Sequence, residues 1–206
     1  MKPMQRMVAP DGKEICLFPF EYMNISQNEG GSYSHEGTYN IDFIGWGADG
    51  LILKCPFYAP CTLRCVAIWD PNSNNRVYQS VNPVHLADGS IDYLTISFSH
   101  DDNPRWGVGD IIQQGDIIGH TGTTGEVTGD HVHSCCGKGQ YVGFTLRESG
   151  HYDLTNRAHY YDCCYVNNTN IINGAGNPWM TYGGQIKLFK NKFPWVLYAR
   201  KLREHK

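Results

Sequence analysis

A chain of 206 residues with 17 Lys and Arg against 20 Asp and Glu carries a formal charge of -3 and a pI near 6.3. That balance supplies no basic field for phosphate backbones, so nucleic acid is not an expected partner. The length suffices for one well-buried core, no run reaches the roughly 20 apolar residues of a transmembrane segment, and 23 glycines, 10 prolines and 13% aromatics favour an all-β domain rich in turns.

In chain order, Cys16 to Phe20 and Tyr22 to Ile25 read as short strands, and His35 to Phe43 as a strand pair. Leu51 to Pro56 is an apolar run, followed by Cys61 to Trp69 and a turn at Pro71 to Asn75. Val77 to Val81 and Tyr93 to Phe98 alternate as strands do, and Asp101 to Arg105 is a loop over the site argued below. Ile111 to Gly119 reads as strand, turn, strand, and a Gly-rich turn at Thr121 to Gly125 follows. Further on come a strand at Tyr160 to Val166, a turn at Asn167 to Asn170 and a loop at Asn173 to Trp179. The expected architecture is a mostly antiparallel sheet around an open groove, with few short helices. Residues 1–186 are expected to form one domain, with 187–206 an extension packed on it, because so short a segment rarely folds alone.

The most informative segment is Thr128-Gly129-Asp130-His131-Val132-His133. Side chains alternate across a strand, so histidines two apart share a face and can aim at one point. His35 and Asp42 lie upstream, and His100 closes the alternating run from Tyr93. A catalytic zinc commonly takes three nitrogen or oxygen donors and keeps its fourth position for water. His35, Asp42 and one histidine of the pair make such a set.

This order of motifs resembles the lysostaphin-type zinc peptidoglycan endopeptidases, over roughly Ile25 to His133. That family carries a His…Asp pair, a histidine ending a strand, then a Gly-rich turn leading into His-x-His. The resemblance implies that His35, Asp42 and His133 hold Zn2+, with His100 and His131 as catalytic histidines sharing the proton and oxyanion work. It also implies cleavage of bacterial peptidoglycan peptides. Two departures stand out: six residues separate His35 from Asp42 where most members have three, which resembles phage-associated relatives, and Ser134-Cys135-Cys136 replaces the usual apolar strand with its acidic residue. The glutamate base of His-Glu-x-x-His helices is absent.

The N-terminus lacks the apolar core of a signal peptide, so action on the cell wall is expected after phage-mediated release or from within a virion. The alternative is a non-catalytic zinc-binding or wall-binding module of the same fold, in a virion or activator role. Glu36 and Asp130 read as structural bystanders, His120 as a turn residue, and His85, His151, His159 and His205 as solvent-exposed. Tyr39, Trp46, Tyr58, Trp106 and Tyr141 are candidates for the groove walls, with ordinary sheet packing as the competing role. Eight cysteines include the adjacent pairs Cys135-Cys136 and Cys163-Cys164, each expected to point one thiol inward and one outward; none forms Cys-x-x-Cys.

Overall fold

A computed structural model describes residues 5–166 and 169–172. The expected 187–206 extension, the 173–179 loop and His205 lie outside the described residues. Regular structure among the described residues is β-strand apart from one helical turn at Tyr160–Cys163, and no helix among them is long and apolar enough to cross a membrane.

One antiparallel sheet dominates. Its strands lie in the order Ile111–Ile112, Leu63–Asp70, Asn75–Ser80, Leu94–Ser99, Val132–Lys138, Ile41–Phe43 and Ile25–Gln27. Arg157–Ala158 pairs with Val132–Lys138 further along the edge that Ile41–Phe43 occupies. The Leu94–Ser99 strand is buried at all six positions, which its alternation explains. Leu94, Ile96 and Phe98 enter the main core. Thr95, Ser97 and Ser99 face the other way and are satisfied by the Gly139 carbonyl, the Cys135 thiol and the Asn75 amide. Burying hydroxyls on that face costs little because each has its partner.

The main core centres on Phe18, Phe20, Phe43, Phe57 and Tyr160, with Phe43 ring centroids 5.3–5.4 Å from three of the other four. Each such ring contributes about 1.5–3 kcal/mol by leaving water. This packing overrides two local expectations. Cys16 to Phe20 makes single bridges instead of a strand, since Pro19 has no N–H for a ladder. Tyr160 to Cys163 forms a helical turn where a strand was expected, with Cys164 N–H bonded to the Tyr160 carbonyl at 2.8 Å and the Tyr160 ring fully buried against Phe18 and Phe43.

Both members of each adjacent cysteine pair are buried, contrary to the one-in, one-out expectation: Cys135 and Cys136 lie in a strand covered on both faces, and Cys163 and Cys164 end the helical turn within the main core. Cys136 joins the main core, whereas Cys135 packs with Val77 and Leu154 beneath the hairpin of Phe144–Leu146 and Tyr152–Leu154. Burial pushes the Cys135 thiol up to about 12 and raises Cys16 and Cys136 well above the usual thiol range. The thiolate is the reactive form. Native protein is therefore expected to resist a thiol-specific chromogenic reagent, with all eight groups reacting once denatured. Fast labelling of the native fold would contradict this burial.

Candidate metal centre

Strand register builds the site. His133 sits opposite Asp42 on one side and Ser99 on the other, so His100 follows directly from the neighbouring strand. His131 bridges Gly122 of the Gly-rich turn. His35 comes from a turn, not from the strand pair expected over His35 to Phe43; only Ile41–Phe43 is a strand. The turn delivers His35 fully buried, with its N–H bonded to Gly31 and its carbonyl accepting from Thr38 N and Oγ1.

Three donor atoms converge. His133 Nδ1 lies 3.0 Å from Asp42 Oδ1 and 3.1 Å from His35 Nε2, and His35 Nε2 lies 3.3 Å from Asp42 Oδ1. Nitrogen and oxygen donors on a tetrahedral zinc at about 2.0–2.2 Å stand about 3.3–3.5 Å apart. The triangle thus needs only a few tenths of an ångström of expansion. His35 Nδ1 donates to the Asn28 carbonyl at 3.1 Å, which leaves the Nε2 lone pair facing the other two atoms. A proton on His133 Nδ1 satisfies such a group only in part; a divalent cation satisfies all three. These are the residues that group as a potential metal site among the described residues.

His100 and His131 complete the cluster, with ring centroids 4.7 Å apart, and His100 is 6.0 Å from His133. Each donates Nδ1–H to a main-chain carbonyl at 2.8 Å, Thr124 for His100 and Gly129 for His131, and so turns Nε2 inward. His131 Nε2 stands 3.8 Å from Asp42 Oδ1. Burial, only partly offset by the Thr124 hydrogen bond, pushes His100 down to about 4. Burial also lowers His133, against the pull of Asp42. For Asp42, burial acts upward, but hydrogen bonds from His133 and His35 outweigh it and hold the carboxyl well below its usual range.

The Gly-rich turn is wired to this pair. His100 has φ +77°, a left-handed conformation that non-glycine residues rarely adopt, and its N–H and carbonyl are held by Ser73 and Thr124. A Cβ on Gly122 would stand 1.8 Å from the His100 carbonyl oxygen. Gly122→Ala is accordingly expected to cost about 1–3 kcal/mol or more, read as a lower denaturation midpoint, because main chain and not a flexible side chain has to move. An unchanged midpoint would contradict this close approach. Lys54 bridges Asp102 and Asp130, Asp102 accepts from Thr123 N and Thr124 Oγ1, and Asp130 accepts from Thr121 Oγ1. Asp130 makes these bonds and also lines a cavity over the cluster, although its sequence position suggests a bystander.

This cavity, of about 950 Å³, is lined by Asp42, His100, His131 and His133 and also by Tyr33, Glu126 and Asp130. None of Tyr39, Trp46, Tyr58, Trp106 and Tyr141 lines it. Tyr39 stacks on His159, the Trp106 indole bonds the Ile117 carbonyl, and Tyr141 packs on Phe144. Tyr33, 80% exposed at the rim, is the aromatic that sequence reasoning missed; nothing in Ser32-Tyr33-Ser34 marks it. The expectation of solvent exposure fails for His85, which is buried against Asp11, and for His159, which is partly buried and held by Glu29. His151 is also only partly exposed, and His120 lies in a strand with its N–H on Asp101.

No protein-family model matches the chain. Morphogenesis protein 1 of Bacillus phage B103 is 37% identical over 171 residues, covering 82% of this chain and 45% of that protein. The chain therefore spans less than half the length of that relative. Among solved structures, a zinc-containing peptidase from Vibrio cholerae is 17% identical, with 65% of this chain and 43% of that one covered at a TM-score of 0.44. The catalytic domain of the antimicrobial peptidase lysostaphin from Staphylococcus simulans is 20% identical, with 61% and 80% covered at a TM-score of 0.37. In the order of its motifs this chain resembles the lysostaphin-type peptidases, and a phage protein is among its relatives.

Proposed function

We propose that the chain is a zinc-dependent endopeptidase that hydrolyses the peptide cross-links of bacterial peptidoglycan. The observation that carries this reading is the triangle of His35 Nε2, Asp42 Oδ1 and His133 Nδ1 at 3.0–3.3 Å, with two further histidines turning Nε2 into the same cavity. His35, Asp42 and His133 hold the metal, which supplies Lewis acidity at the scissile carbonyl and makes water nucleophilic near neutral pH. His100 and His131 share the remaining work. One takes a proton at Nε2 and returns it to the departing amine; the other donates a hydrogen bond to the carbonyl oxygen as charge develops there. His100 enters this cycle neutral at pH 7, since burial keeps its pKa near 4. The cavity of about 950 Å³ that Tyr33 and Glu126 help line is the place where a peptide cross-link would bind. Likeness to a phage morphogenesis protein supports a phage-borne setting, in which the enzyme reaches the wall on release during lysis or within a virion.

Purified walls of defined cross-link type test this reading. Digestion is expected to release fragments with new amino termini at one peptide bond, identified by mass spectrometry, and chelation of zinc is expected to stop it. Cleavage of glycan bonds alone, or none with zinc bound, would contradict it.

Metal binding should also depend on pH with a definite sign. Zinc and protons compete for the imidazoles, so affinity falls with falling pH. Burial holds His133 below its ordinary 6.5, so its share of that competition begins below that value. Titration calorimetry from pH 8 to 5 measures this; affinity rising toward acid would contradict the ligand set.

A further inference from the structure

Six residues separate His35 from Asp42, and such a long connection between two ligands needs something to hold it. The structure supplies that hold from one place. Between residues 149 and 157, four groups fasten consecutive points of the connection. Ser149 Oγ donates to the Glu36 carbonyl, Arg157 Nη1 to the Gly37 carbonyl at 2.7 Å, and Asn40 Nδ2 to the Tyr152 carbonyl at 2.9 Å. Tyr39 N–H donates to Asp153 Oδ2 at 2.8 Å, and that same oxygen takes Arg157 Nη1 at 3.1 Å. The Arg157 guanidinium also lies 4.3 Å over the Tyr39 ring, whose other neighbour is His159, stacked at 3.9 Å. His159 in turn bonds Glu29, on the other side of His35 in the chain.

Asp153 is the most telling member. Its side chain is fully buried, yet Oδ1 has no hydrogen-bond partner while Oδ2 carries both bonds. A buried carboxylate with an idle oxygen costs stability, and what it supplies in return is the geometry that Oδ2 imposes. One guanidinium nitrogen, Nη1, serves both the carbonyl and the carboxylate, while the planar group lies over the Tyr39 ring, a combination an ammonium cannot reproduce in full.

We propose that Arg157 and Asp153 are positioning residues for the metal centre, locking the Glu36 to Asn40 connection so that His35 Nε2 and Asp42 Oδ1 stay 3.3 Å apart before any metal arrives. This rests on the zinc reading above. Neither residue touches a ligand atom; both act through the main chain between the ligands. Groups that orient metal ligands from behind typically change metal affinity by about 10–100-fold when lost.

The test is zinc titration calorimetry on the full chain, read beside the apo-protein denaturation midpoint. Arg157→Met is expected to weaken zinc binding by about 10-fold or more, with Arg157→Lys intermediate because an ammonium keeps the charge and donors but loses the planar stacking on Tyr39. Arg147→Met is the control: Arg147 bonds the Leu154 carbonyl within the same hairpin and does not reach the connection. It is expected to lower the midpoint and leave zinc affinity unchanged. Should Arg157→Met fail to fold, Tyr39→Leu removes the guanidinium stacking and keeps the Tyr39 N–H bond, with a smaller loss of affinity in the same direction. Unchanged affinity in Arg157→Met, or an equal loss in Arg147→Met, would overturn the proposal. A wild-type chain that binds no zinc would instead overturn the metal reading, and this inference with it.

Discussion

His133→Ala is expected to purify without metal and to leave cell walls intact. The substitution removes Nδ1, the atom that closes the triangle at 3.0 and 3.1 Å from the other two donors. His35 and Asp42 remain, and two protein donors do not hold a zinc in a water-filled cavity. Loss of a group behind a ligand already costs about 10–100-fold in affinity, so loss of a ligand should exceed about 100-fold. The fold should survive, since the same strand stays anchored by Val132 and Cys136 in the core and by its ladders to Leu94–Ser99 and Ile41–Phe43. Elemental analysis gives the metal content and circular dichroism the fold. Full metal content in a folded His133→Ala chain would remove His133 from the ligand set.

His100→Ala should behave in the opposite way, retaining metal and losing turnover. Its ring reaches the cavity without joining the triangle, and its Nδ1–H is committed to Thr124, so what disappears is the Nε2 lone pair. Positioned acid–base groups contribute about 10²–10⁴-fold, and a fall of that order in kcat is expected with zinc stoichiometry unchanged. The backbone adds a second signature. With φ at +77°, alanine inherits the strain that histidine bears, whereas glycine relieves it. His100→Gly should therefore be as inactive as His100→Ala and more stable by about 1 kcal/mol. Activity kept in either variant would take His100 out of the chemistry; equal stability would mean that the positive φ carries no strain.

The sheet and the centre were legible in the sequence to different depths. The all-β class follows from alternation and turn residues, and His131-Val132-His133 declares a shared face because a pleat has a period of two. The pairing of Asp42 with His133 follows from register, which no local pattern announces. His35 was expected on a strand, yet it reaches Asp42 and His133 on a turn that Thr38 and Gly31 fasten. The orienting acceptors Asn28, Thr124 and Gly129 act through main-chain carbonyls, and a carbonyl leaves no trace in residue type. Arg157 and Asp153 do act through side chains, but on main chain more than a hundred positions back, which no local pattern announces. His85 and His159 were misjudged because a titratable side chain is buried only when a distant partner, here Asp11 and Glu29, meets it.

X-ray absorption at the zinc edge on the metal-loaded chain tests the central claim most directly. Two imidazole nitrogens and one carboxylate oxygen from the protein are expected at about 2.0–2.2 Å, with a light-atom donor from solvent in the remaining position. Sulfur at about 2.3 Å would assign the metal to the buried cysteines and contradict the account, as would a spectrum unchanged by His133→Ala.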